Sequence, residues 1–129
     1  MVLDASGAVE LLLNTAAGKR LSARLAGEFE AVHVPHLIDI EIAQVLRRYA
    51  LRGALDERLG AMALGRWMDF DVERHPHHPF LGRTWRLRAN VTAYDAVYLA
   101  LAEALSTELV TGDRRLAEVP GTTVAIELI

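Results

Sequence analysis

The chain has no cysteine. Disulfide staples and thiolate chemistry are therefore excluded, and the composition is compatible with a reducing compartment. Lysine is nearly as scarce: Lys19 is the single lysine among 14 basic residues, and the rest are arginine. No apolar run approaches the roughly 20 residues that cross a bilayer. No basic segment precedes the first apolar residues, as a secretory leader would require. The expectation is a cytoplasmic chain with no membrane partner. An excess of basic charge is also missing, since the formal net charge is −3 at pH 7. Net charge alone thus does not mark a nucleic-acid binder. Neither a glycine-rich phosphate loop ending in lysine nor the dinucleotide-binding glycine pattern is present.

What is present is ordinary for a folded protein. Of 129 residues, 52% are hydrophobic and 24% charged, enough for one domain over 1–129 with a real core. Met1-Val-Leu3 reads as a strand. Asp4-Ala-Ser6-Gly7 follows it, then a short helix over Ala8 to Leu13. Ala16 to Glu30 is amphipathic, with Leu21, Leu25 and Phe29 spaced by four. Ala31 to Val34 alternates like a strand and is closed by Pro35. His36 to Arg52 is a strong helix, stopped by Gly53, and Leu55 to Met68 is the next. Asp71 to Arg74 reads as a strand and His75-Pro-His-His-Pro79 as a loop. A helix with Leu81, Trp85 and Leu87 ends near Asn90. Thr107 to Thr111 is a buried strand, Gly112 to Leu116 a turn, and Thr123 to Leu128 the last strand. Strands alternating with helices predict an α/β fold with a parallel sheet and helices on both faces. No repeat or linker divides the chain.

The stretch Thr92 to Leu105 is apolar on nearly every side, with only Asp95 and Glu103 charged. Such a helix is buried between other elements, with Tyr94, Val97, Leu101 and Leu105 as packing residues. Thr92 followed three residues later by Asp95 is a variant of the capping box. Asp95 could equally point into a site that the helix helps to build.

Four acids stand out. Asp4 and Asp113 lie just past predicted strands; Glu41 and Asp95 lie on helices with apolar surroundings. In a parallel sheet, strand carboxyl ends and the N-termini of the following helices share one edge. Asp4, Asp95 and Asp113 can meet there, and Glu41 can join if its helix leans over that edge. On periodicity alone, Glu41 shares a polar, solvent-facing stripe with Gln44, Arg48 and Arg52. Crowded carboxylates repel unless a cation balances them. Mg²⁺ and Mn²⁺ prefer such oxygen ligands, and can activate a water and stabilise charge on a phosphoryl group. Ser6 and Thr111 sit two residues from an acid and could orient a carboxylate.

Arginines cluster at Arg47, Arg48 and Arg52, at Arg83, Arg86 and Arg88, and at Arg114 and Arg115. Exposed arginine is ordinarily a solvated face, but its planar head also suits phosphate. His75, His77 and His78 invite a zinc reading. The two prolines of this stretch, Pro76 and Pro79, restrict the backbone and no matching ligand pair lies nearby in sequence, so a dedicated site is not expected.

Other acidic α/β sites fail on particular residues. A receiver-type phosphoacceptor needs a lysine near the last strands. A phosphatase of the haloacid dehalogenase type needs Asp-x-Asp where Asp4-Ala-Ser6 stands. An integrin-type metal site needs a second serine where Ala8 stands. No Ser–His–Asp order can be singled out.

Four segments in order, Val2-Leu-Asp-Ala-Ser6, Pro35-His-Leu-Ile-Asp-Ile-Glu-Ile42, Thr92-Ala-Tyr-Asp-Ala-Val-Tyr98 and Leu109-Val-Thr-Gly-Asp113, resemble the PIN-domain ribonucleases, and within them the VapC toxins of toxin–antitoxin pairs. The resemblance implies a three-layer α/β/α fold whose central parallel sheet has about four to five strands. It implies Mg²⁺-dependent cleavage of RNA, with Mn²⁺ able to substitute. The family's acids fall on Asp4, Glu41, Asp95 and Asp113, as catalytic and metal-holding residues. Its hydroxyl near the last aspartate falls on Thr111, and Ser6 matches a frequent small polar residue. Where some members carry a further acid, this chain has Arg114-Arg-Leu116, and Arg114 and Arg115 become candidates to hold RNA. The resemblance further implies a homodimer, a cognate antitoxin over the helices, and a structured RNA such as tRNA or rRNA as target. The alternatives are a PIN-like nuclease outside any toxin pair and an inactive module that binds RNA or protein.

Overall fold

The computed structural model describes residues 1–27 and 31–129. Five short strands, β1 (Val2–Leu3), β2 (His33–Pro35), β3 (Glu73–His75), β4 (Leu109–Thr111) and β5 (Ile126–Leu128), form an all-parallel sheet in the order β3-β2-β1-β4-β5. Six helices flank it: α1 (Ala5–Leu12), α2 (Ala16–Gly27), α3 (Ile38–Leu51), α4 (Glu57–Met68), α5 (Leu81–Arg86) and α6 (Ala93–Leu105). This is the expected three-layer α/β/α arrangement.

Successive strand residues face opposite sides of a sheet, and here the sides differ in what they meet. Arg74 of β3 reaches down to Asp39 of α3, with Nε 3.2 Å from Oδ2, and its guanidinium sits 5.5 Å from the ring centre of Trp67 in α4. Trp67 is buried, and its indole N–H donates to Asp39 at 2.7 Å. Helices α1 to α4 pack together on this side, and α6 lies across β1, β2 and β4 on the other with α5 against it.

Helix α6 explains itself from its side chains. Residues Ala96 to Ala102 are all buried, and three of the seven are alanine, which lets the backbone lie close to the sheet. The Thr92 hydroxyl caps the helix by accepting from the Asp95 N–H at 3.2 Å, and Ser106 ends it in the left-handed region at φ 51°. Between α1 and α2 the backbones touch. A Cβ on Gly18 would lie 2.0 Å from the carbonyl oxygen of Glu10, so only glycine fits there.

Several local expectations are corrected. Helix α1 starts at Ala5, not Ala8, because the Asp4 side chain caps it at once. Tyr94 is 64% exposed and Leu105 37%, so neither packs as Val97 and Leu101 do; the first and last turns of α6 overhang the sheet. Ile40 and Trp85 are likewise exposed. His75 belongs to β3 rather than to the following loop. The helix predicted over Ala16 to Glu30 is observed to Gly27, and Phe29 lies outside the described residues. Among the described residues, no helix is long and apolar enough to cross a membrane.

Candidate active site

Strands β1 and β4 are neighbours and run in register, Leu3 beside Val110. The residues just past them therefore emerge side by side. Asp4 follows β1, and Thr111 closes β4. Three donors converge on the Asp4 carboxylate: the Gly7 N–H at 2.8 Å, the Ser6 hydroxyl at 2.7 Å and the Thr111 hydroxyl. The two hydroxyl oxygens lie 3.2 Å apart. Each has one proton, and each directs it to Asp4. As acceptors they close the loop beyond β4: Ser6 Oγ receives the Gly112 N–H at 2.8 Å, and Thr111 Oγ1 the Asp113 N–H at 2.9 Å. Ser6 and Thr111 thus fix both Asp4 and the peptide that carries Asp113. A Cβ on Gly112 would come within 3.3 Å of the Ser6 oxygen. Burial pushes the Asp4 carboxyl up, the three hydrogen bonds pull it back, and the negative charge of Asp95 adds to the rise.

Glu41 comes from the first turn of α3 and is half-buried. The Tyr98 hydroxyl donates to its Oε2. Its carboxyl is also raised, first by burial and then by the charges of Asp95 and Asp4, with the Tyr98 bond opposing. Tyr98 itself is 2% exposed. Burial, together with the Glu41 charge it faces, drives its phenol far up, so it stays a neutral donor. Asp95, one turn before Tyr98 on α6, completes the mutual repulsion. The Thr92 hydroxyl that caps the helix also donates to Asp95 Oδ2 at 2.7 Å, which steadies this carboxylate.

The charge of Asp95 is felt by both Asp4 and Glu41, and that of Asp4 by Glu41. Among the described residues, none of the three has an ion pair with an arginine, a lysine or a histidine. Asp113 differs. The Arg115 guanidinium grips both its oxygens, with Nε at 3.0 Å from each, and holds its carboxyl below the usual range. Arg115 is itself strongly exposed. The structure thus gathers three of the four predicted acids into one electrostatic group and sets the fourth beside it, engaged by a neighbour.

Two clefts open on either side. One, of about 400 Å³, is lined by Arg88, Asn90, Thr92, Asp95 and Arg115. The other, of about 290 Å³, is lined by Ala5, Glu41, Gln44, Arg48 and Tyr94. Each is lined by a carboxylate of the acidic group together with arginine.

A model of the PIN domain matches residues 1–122. The chain belongs to the PIN-domain family. The VapC ribonuclease Mb0985 of Mycobacterium bovis is 47% identical over 118 residues, covering 92% of this chain and 89% of the relative. Ribonuclease VapC12 of Mycobacterium tuberculosis is 40% identical over 129 residues, 100% of this chain and 98% of that one. Among solved structures, PAE2754 from Pyrobaculum aerophilum superposes with a TM-score of 0.70 at 25% identity, covering 97% of this chain and 81% of that one. VapBC2 from Rickettsia felis, solved with a fragment of promoter DNA, reaches 0.72 at 12% identity over 99% and 97% of the chains. The resemblance to VapC-type PIN domains is borne out.

Within this PIN domain, Glu41 is not part of a solvent-facing polar stripe. It turns inward because Tyr98 offers a buried donor. Tyr98 escaped the sequence reading, where it counted as one more apolar position. A signal existed: a buried tyrosine hydroxyl needs a partner, and Tyr98 stands three residues after Asp95. Arg114 and Arg115 are both exposed, and Arg115 is bonded to Asp113. The His75–Pro79 loop takes no part here.

Proposed function

We propose that this chain is a divalent-cation-dependent endoribonuclease of the VapC type, acting in the cytoplasm and held in check by a cognate antitoxin. The observation that carries this reading is the carboxylate group Asp4, Glu41 and Asp95, none of which forms an ion pair among the described residues. Like charges brought together in a partly buried site call for a cation, and an all-oxygen donor set fits Mg²⁺ or Mn²⁺. Asp4, Glu41 and Asp95 would hold it, joined by Asp113. A cation there supplies water activation and charge stabilisation at a phosphoryl group.

The chain's own residues set the stage. Ser6 and Thr111 hold Asp4 in place and favour its ionised form against burial, and Tyr98 aims Glu41. Arg115 restrains Asp113 until substrate phosphate competes for the guanidinium, and release of Asp113 then completes the acidic set. Arg88, Arg114 and Arg115 on one side and Arg48 on the other offset the repulsion between an acidic site and RNA. The relatives' names, VapC ribonuclease and Ribonuclease VapC12, support RNA as the substrate.

Exposed apolar side chains support a protein partner. Ile40 and Leu51 on α3, and Leu59, Met62 and Met68 on α4, are all exposed. A groove of about 330 Å³ runs between these two helices, lined by Ala43, Leu46, Ala50, Gly60 and Leu64 among others. An amphipathic helix of an antitoxin, or a second copy in a homodimer, would cover this surface.

The test is incubation of purified protein with structured RNAs, tRNA and rRNA fragments included, with and without Mg²⁺. Asp4→Asn and Asp95→Asn serve as variants, because asparagine keeps an acceptor for the Gly7 N–H at Asp4 and for the Thr92 hydroxyl at Asp95. Cleavage leaving 5′-phosphate ends is expected in the wild type alone. Cleavage that persists in EDTA, or in both variants, overturns the proposal.

A further inference from the structure

Away from the acidic site, at the opposite edge of the sheet, three more ligand-type side chains meet. His33 on β2 is in register with Glu73 on β3, and Pro35 with His75. Directly opposed residues share a face, and so do residues two apart on one strand. His33, Glu73 and His75 therefore project together on the side of the sheet away from Arg74. Their donor atoms converge. His33 Nδ1 is 3.1 Å from His75 Nε2 and 3.3 Å from Glu73 Oε2, and His75 Nε2 is 3.6 Å from Glu73 Oε1. The imidazole ring centres are 5.2 Å apart. Such spacing among two histidines and a carboxylate is what a bound metal ion requires.

The spacing has a specific meaning. Ligands bound to tetrahedral zinc at about 2.0–2.1 Å stand roughly 3.3 Å from one another. The two imidazole nitrogens and the Glu73 oxygen nearest His33 stand close to that value, the other Glu73 oxygen faces His75, and one donor atom from each residue lies within 4.8 Å of the others. Two imidazoles and a carboxylate are also the donor set that suits zinc and its borderline neighbours rather than Mg²⁺. We propose that His33, Glu73 and His75 form a zinc-binding site that staples edge strand β3 to β2, separate from the nuclease centre. Both histidines are largely covered, with 19% and 20% of their side chains exposed, while Glu73 is open at 62%. Water can thus reach the fourth position and the ion has a way in. Strand β3 is three residues long and sits at the sheet edge, where a cross-link adds most to holding it in place and protecting it from foreign pairing. Metal held there would raise the thermal midpoint in proportion to its occupancy.

The experiment uses the full chain carrying Asp95→Asn, stripped of metal by chelation, so that the acidic site competes less. Zn²⁺ is titrated by calorimetry, and Co²⁺ is added as a spectroscopic stand-in. One equivalent should bind, Co²⁺ should give the visible band of a four-coordinate nitrogen and oxygen site, and the thermal midpoint should rise. His75→Gln and Glu73→Gln should each weaken Zn²⁺ by more than about tenfold. Glu73 is exposed, so its variant folds whatever becomes of His75. Absence of binding to the parent chain overturns the proposal. So does binding that survives both substitutions, or that is lost instead on replacing His77 and His78. None of these outcomes bears on RNA cleavage, so the two proposals fail separately.

Discussion

Removal of one hydroxyl, Tyr98→Phe, tests the electrostatics of the acidic site without altering its charge. The Tyr98 hydroxyl donates to Glu41 from a position 2% exposed, and phenylalanine fills the same space. A hydrogen bond to a charged group contributes about 1.5–3 kcal/mol. Glu41 keeps some access to water, which places the loss near the lower end, at ~1.5 kcal/mol. The cost depends on pH. The carboxyl of Glu41 already sits above its ordinary value of 4.5, chiefly through burial, with the Tyr98 bond opposing. Deleting the bond moves it further up. A folded state that binds the proton more tightly than the unfolded chain loses stability as pH rises through the folded-state value. The penalty of Tyr98→Phe should therefore be small near about pH 4, below the ordinary value of 4.5, and larger near about pH 8. Urea unfolding of both proteins in EDTA at the two pH values measures this, the EDTA removing any cation that would mask the repulsion. The acid limb of RNA cleavage against pH should move upward in the same variant. A penalty equal at both pH values, or larger in acid, would refute the assignment of Tyr98 as the group that keeps Glu41 ionised.

Arg115→Ala should free Asp113 and tighten Mn²⁺ binding measured by calorimetry. Arg115→Lys, which retains the charge but not the two-pronged grip, should shift affinity in the same direction, and weaker binding in both would refute the restraint. Arg115 is what lowers the Asp113 carboxyl below its ordinary value of 3.8. The stability gained from that lowering is present above this value and fades as acid protonates the folded form, so Arg115→Ala should show a shallower loss in acid. Gly18→Ala should cost about 1–3 kcal/mol in urea unfolding, because its Cβ would lie 2.0 Å from the Glu10 carbonyl oxygen and force α1 and α2 apart. A change within about 0.5 kcal/mol would show that the two backbones are not in contact.

Strand ends and helix starts were legible because their signals are local. Asp4, Asp95 and Asp113 could be placed on one edge from the alternation of strands and helices alone, and Asp4 and Asp95 now stand there together. Glu41 was harder. Its neighbours at helical spacing are polar, and only Tyr98, 57 residues away, turns it inward. The same limit hid Arg74, which joins Asp39 to Trp67, and the pairing of His75 with His33. Each depends on sheet order, and strands of two or three residues carry too little pattern to set it. Helix α6 misled in the other direction. Its apolar sequence predicted burial all along, yet Tyr94 overhangs the sheet, because length rather than composition decides which turns are covered.

Asp4 does two jobs with one side chain. It caps α1 through Gly7, and its other bonds hold the end of β4. Chemistry and architecture are thus carried by the same atoms. A lineage that sheds activity while keeping its shape has cheaper routes than this residue, since the Glu41 carboxylate meets one tyrosine hydroxyl and that of Asp113 its exposed neighbour Arg115, and neither ties one strand to another. Decay of the centre should begin with them, and Asp4 should be the last acid to go.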